Sequence, residues 1–161
     1  MNNVCMFTGH RILRHTKQLD DALDRALSRL YDRGFFIFIS GGAMGFDLIA
    51  ARAVLRLKER FPDVKLFMML PHKNQSERFP SDQKKEYSEI LKLCDKTQYL
   101  SEHYYEGCMH DRNRNMAQSA DICLCYLLSS KGGTAYTAAY AASRGLEIIN
   151  IAEDLGSENY V

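Results

Sequence analysis

The chain holds no apolar run approaching the roughly 20 residues that a membrane-spanning helix needs. Its first residues, Met1-Asn2-Asn3, carry no basic region followed by a long apolar stretch. A secretory signal is therefore not expected, and a cytoplasmic location is. Neither sign of charge is in excess: the formal net charge of the 161 residues is +1. That balance argues against nucleic acid as a partner, because sequence-independent binding depends on neutralising many phosphates. Cysteine pairing is also missing. The five cysteines form no C-x-x-C pair, and Cys5, Cys123 and Cys125 lie in apolar runs where a thiol behaves as a small hydrophobe. Only Cys108 stands beside candidate functional residues. No two histidines are spaced i,i+4, so no metal is expected. Two nucleotide motifs are absent as well. Thr8-Gly9-His10-Arg11, after the first apolar run, has one glycine rather than G-x-G-x-x-G, which argues against an NAD-dependent redox enzyme. No G-x-x-x-x-G-K-[ST] occurs, so ATP hydrolysis has no support.

What is present is a regular alternation. Short apolar runs at Val4–Phe7, Phe35–Ile39, Lys65–Leu70, Asp121–Leu128 and Glu147–Ala152 read as strands, with Lys96–Leu100 as a shorter one. Helical patterns fall between them, at Thr16–Arg33, Asp47–Arg60, Ser81–Cys94, Met109–Ser119 and Ala135–Arg144. Pro71 is expected to stop the third strand, and residues 73–80 read as a loop. With no repeat and no linker, residues 1–161 are expected to form one domain. The alternation implies an α/β fold: three layers, Rossmann-like, a mostly parallel sheet with helices on both faces. In such sheets ligands bind beyond the carboxyl ends of the strands.

Glycine is concentrated at those ends. Gly132-Gly133-Thr134 follows the Asp121–Leu128 strand and precedes an alanine-rich helix. Gly41, Gly42 and Gly45 follow Phe35–Ile39, and Gly9, His10 and Arg11 follow Val4–Phe7. Glycine admits a ligand close to the backbone, and the free N–H groups and dipole at a helix start favour an anion. Three such junctions on one edge predict a site for a nucleotide or a phosphorylated sugar. Arg112, near the start of its helix, suits bidentate phosphate recognition. Asn113 could bond ligand or backbone. His10 and Arg11 could touch a phosphate or a base, or only the neighbouring turn. Asp47 could reach the ligand or cap its helix. Tyr104 and Tyr105 could stack on a base or anchor a loop.

The run Met109-His110-Asp111-Arg112-Asn113, with Ala120-Asp121 and Gly132-Gly133-Thr134, resembles the signature of the SLOG superfamily. That group includes the LOG phosphoribohydrolases and the Rossmann-like part of DprA. Thr8-Gly9-His10-Arg11, Ser40-Gly41-Gly42-Ala43-Met44-Gly45-Phe46-Asp47, Gly107-Cys108-Met109 and Gly133-Thr134-Ala135-Tyr136-Thr137 are most similar to the YpsA-like branch. The resemblance runs over essentially the whole chain. It implies a Rossmann-like fold, a nucleotide or nucleotide-derived ligand of the ADP-ribose or NAD-related kind, no required cofactor, and a homodimer. LOG enzymes place a Glu three residues after the Gly-Thr of their motif. Here that position falls on Thr137, so the carboxylate that would stabilise positive charge on the sugar is absent, unless Asp47 or Glu106 replaces it. The expectation is a binding protein of the sensor or regulatory type. The alternatives are a LOG-like hydrolase of nucleoside 5'-monophosphates and a DprA-like module for nucleic acid or a protein partner.

Overall fold

The structure is a computed structural model, and it describes residues 3–155. Six strands form one sheet: β1 (Val4–Gly9), β2 (Ile37–Ser40), β3 (Lys65–His72), β4 (Lys96–Ser101), β5 (Ile122–Tyr126) and β6 (Glu147–Asn150). Their spatial order is β4-β3-β2-β1-β5-β6, and every neighbouring pair is parallel. Five helices connect them: α1 (Lys17–Asp32), α2 (Phe46–Arg60), α3 (Ser81–Leu93), α4 (Cys108–Ser119) and α5 (Gly133–Ser143).

The chain walks outward from β1 to β4, then crosses back through α4 to β5 on the far side of β1. That reversal sorts the helices. Leu19, Leu23 and Leu27 of α1, Val54 and Leu57 of α2, and Ile90 of α3 pack in one core with Cys5, Phe7, Leu66 and Leu124. Met116 of α4 and Ala141 of α5 pack in a second core with Val4, Met6, Cys123 and Cys125. Alternate residues of β1 and β5 thus enter opposite cores, as the period of two requires. All five residues of β5 are buried, which is why its sequence is apolar without alternation. The edge strand β4 is polar instead, beginning Lys96-Thr97-Gln98.

Element limits shift at several places. Thr16 is not helical but caps α1, its Oγ1 accepting the Leu19 N–H at 3.1 Å. Strand β3 runs through Pro71 to His72 rather than stopping before them. β2 pairs with it only as far as Met68, and beyond that β4 alone pairs with β3. Pro71 therefore sits where one side of the strand has no neighbour to receive an N–H. The 73–80 loop contains a 3-10 turn, Gln75–Arg78. After β6 the chain turns into a second 3-10 turn, Ile151–Asp154, instead of extending to Ala152. No helix among the described residues is long and apolar enough to cross a membrane.

Candidate functional site

β1 has β2 on one side and β5 on the other, and the connections from β1 and β5 leave on opposite faces. This switch point opens a crevice at the carboxyl end of the sheet. A cleft of about 540 Å³ lies there. Thr8 and Gly9 line it from the end of β1, and His10, Arg11 and Ile12 from the residues that follow. Ala43 and Asp47 come from the β2–α2 junction. Met109, His110, Arg112 and Asn113 come from the first turns of α4, and Gly133 and Thr134 from α5. Candidates from segments far apart in the chain thus meet in one place. Gly132 borders the adjoining shallow depression with Glu106 and Tyr136, outside the cleft itself.

The helix starts around the cleft differ from α1. Gly45, Gly107 and Gly132 precede α2, α4 and α5 with positive φ of 81°, 88° and 97°, and no side chain caps any of the three helices. α2 is partly satisfied by other means: Phe46 N–H donates to the His10 carbonyl at 3.1 Å, and Gly45 N–H to Gln83 Oε1 at 2.6 Å. α5 begins at Gly133, two residues before the expected Ala135, so Gly133 and Thr134 form its first turn. The first N–H groups of a helix have no partner within it. At α5 they lie beside the cleft.

The glycines divide into two kinds. A Cβ on Gly9 would strike Phe46, and one on Gly45 the Arg11 carbonyl. Packing therefore requires both. Gly133 has neither a positive φ nor any atom within 4 Å of a Cβ placed there. Nothing in the protein's own packing demands glycine at 133.

Arg112, expected to suit bidentate phosphate recognition, lines the cleft with part of its fork already engaged within the protein. It is 2% exposed. Its guanidinium donates to the Gly41 carbonyl, and its Nε donates to Asn113 Oδ1 at 2.7 Å. Gln75 Nε2 donates to the same carbonyl at 3.3 Å. Asn113 Nδ2 in turn donates to Thr137 Oγ1 at 3.0 Å. Arg112 and Asn113 border the cleft while tying α4 to the β2 turn and to α5. Gly41 has no room for a Cβ because the Arg112 side chain occupies the space. Gly42, with φ 69°, would run a Cβ into Leu70, away from the cleft.

Asp47 lines the cleft and is 5% exposed. Its Oδ2 accepts the Ala43 N–H at 3.3 Å, which closes the Gly-rich turn back on α2. Its Oδ1 is buried with no hydrogen-bond partner. Burial raises its pKa to about 6, against the opposing fields of Arg112 and Arg11 and the Ala43 bond. His10 is engaged on the other wall: its Nε2 accepts the Leu128 N–H at 2.9 Å, and burial lowers its pKa. The ring also stands edge-on to Tyr126 at 5.9 Å. The tautomer is thus fixed with the proton on Nδ1.

Sequence reasoning missed Met109 and His110 as lining residues. The signal was available, since Met109 is three and four positions before Arg112 and Asn113 and shares their helix face. Tyr105 does not line the cleft; its hydroxyl donates to Asp111 at 2.7 Å. Tyr104 borders an adjoining cavity. A larger groove of about 790 Å³ runs past Arg11 between α2 and α3. It carries Asp82, Lys85, Glu86 and Glu89, with both glutamates paired to Arg52. The smaller cleft is the better anion site because the α5 start opens on it.

The family model described as the YspA SLOG family matches residues 4–149. A UPF0398 protein of Halalkalibacterium halodurans is 27% identical over 128 residues, 78% of this chain and 66% of that protein. The UPF0398 protein YpsA of Bacillus subtilis is 25% identical over 126 residues, 76% of this chain and 70% of that protein. The chain thus spans about two thirds of the length of these relatives. Among solved structures, DNA processing protein A (DprA) of Streptococcus pneumoniae superposes with a TM-score of 0.65 at 18% identity, over 91% of this chain and 49% of that one. DprA of Helicobacter pylori, described for its single-stranded DNA binding mode, gives 0.62 at 20% identity over 96% and 71%. These last two share the fold. The family match extends from β1 into β6 and takes in every strand end that forms the cleft, so this chain belongs to the YspA SLOG family.

Proposed function

We propose that the protein binds a nucleotide-derived ligand, as a sensor or regulatory component, and does not turn it over rapidly. The observation that carries this reading is the uncapped start of α5 at Gly133, open to the cleft and needed by no internal contact. Amides there suit a phosphate, and Arg11 and Arg112 supply positive charge around the same cleft. The position of the LOG carboxylate is Thr137, which is buried with its hydroxyl accepting from Asn113. No anion at that position can stabilise a developing oxocarbenium charge. Calorimetric titration with AMP, ADP-ribose and NAD tests the reading: at least one should bind, and AMP should remain intact on long incubation. A folded protein that binds none of them would overturn it.

One observation favours the hydrolase alternative. Asp47 is a carboxyl at the cleft with a pKa of about 6 and a free oxygen, a state suited to general acid–base work. Release of base from AMP that vanishes in Asp47→Asn would establish it.

A further inference from the structure

A second cavity of about 670 Å³ adjoins the cleft. Arg11 and Met109 line both, so the two spaces lie side by side with only those side chains common to both walls. From this geometry we infer that a nucleoside diphosphate spans them: its phosphates lie in the cleft, and its base enters the second cavity beneath Tyr104. This deepens the proposed nucleotide binding and rests on it.

The walls argue for a base. Met44, Met109 and Phe79 supply apolar and polarisable surface. The Tyr104 ring is 66% exposed, a large apolar surface left in water at the border of a cavity. It meets His72 edge-on, with centroids 5.7 Å apart and planes at 82°. Two thirds of the residue's surface is thus open to a flat heterocycle. His72 is buried, and its Nδ1 accepts the Asn74 N–H at 3.2 Å. That bond leaves Nε2 as the ring's donor nitrogen, beside the apolar Met44, Met109 and Phe79. A few fixed polar groups within apolar surface are the usual make-up of a small-molecule pocket.

The uncapped α5 start decides which end of the ligand goes where. The second cavity carries Glu77 against Arg78 and the shared Arg11, and the α5 start is not on its wall. The cleft has the α5 amides and a buried Arg112. Arg11, shared by both, sits where a phosphate chain would pass from one to the other, and a guanidinium suits that group.

The test compares ADP, GDP, CDP and UDP with inorganic pyrophosphate by calorimetry. At least one nucleoside diphosphate should bind about tenfold tighter than pyrophosphate, the size of effect that base–aromatic stacking gives. That gain should disappear in Tyr104→Ala and survive in Tyr104→Phe, while pyrophosphate affinity stays unchanged in both. Tyr104 is exposed, so neither variant should affect folding, which circular dichroism checks. Four nucleotides that bind no tighter than pyrophosphate, or a gain that persists in Tyr104→Ala, would sink the base cavity and leave the phosphate site standing. A folded protein that binds neither pyrophosphate nor any nucleotide would sink both.

Discussion

Asp47 imposes a cost on the fold that no neighbouring hydrogen bond removes. Its pKa is about 6 in the folded protein against an ordinary carboxyl value of 3.8. Below both values the carboxyl is protonated in either state and the cost is nil. As pH rises through that window the unfolded chain releases its proton first, and folding loses stability. Above about pH 6 the loss levels off at roughly 3 kcal/mol. Asp47→Asn keeps an oxygen for the Ala43 N–H and removes the charge. Urea unfolding should show this variant more stable than the wild type at pH 7.5, with the advantage shrinking toward pH 4; a less stable variant at pH 7.5 would contradict the assignment. Arg112 behaves oppositely. It is a buried cation, lowered in pKa by desolvation and supported by the Asp47 charge. Arg112→Ala leaves Asp47 buried without its main opposite charge and opens a void at Gly41. Thermal unfolding should report a loss of about 3 kcal/mol or more. A binding defect in that variant would reflect the damaged cleft as much as a missing contact, so Arg112 is a poor probe of ligand recognition.

At the scale of elements, α5 carries the clearest separation of stability from binding. Gly133 opens the helix with an ordinary φ and empty space where a side chain would stand. Gly133→Ala should raise stability by about 0.5–1 kcal/mol through reduced freedom of the unfolded chain. The same methyl group would crowd a phosphate seated on the α5 amides, so affinity for AMP or pyrophosphate should fall. Denaturant midpoint and calorimetry together check this; a stabilised variant with full affinity would remove α5 from the site. The β1–α2 contact makes the contrast. Gly9→Ala pushes a methyl group into Phe46, which packs against Phe7 and Tyr126. It should destabilise the protein by about 1–3 kcal/mol, the usual cost of overpacking.

For the whole molecule, the near-neutral charge remains the main guide to partners. The fold is that of DprA, yet a net charge of +1 offers little for the counterion release that drives nucleic-acid binding. Fluorescence anisotropy with a labelled oligo(dT) should show no binding at 0.15 M salt. Tight binding that weakens steeply with added salt would point to a local basic surface and revive the nucleic-acid reading.

The layered α/β architecture was legible because strand and helix patterns are local: the apolar runs of β2, β3 and β5 and the leucine spacing of α1 follow from backbone period alone. The clustering of Gly9, Asp47, Arg112 and Gly133 was legible too, since parallel strands must place their carboxyl ends on one edge. Tertiary structure decided the rest. Whether Arg112 reached solvent or the Gly41 carbonyl depended on how closely α4 approached the β2 turn, a distance that no spacing in the chain encodes. The same holds for Asp47, whose titration is governed by the low dielectric around it, and for Tyr104 and His72, which meet only because β3 extends past Pro71. Periodicity fixes which way a side chain leaves its own element; what it meets there is set by packing between elements.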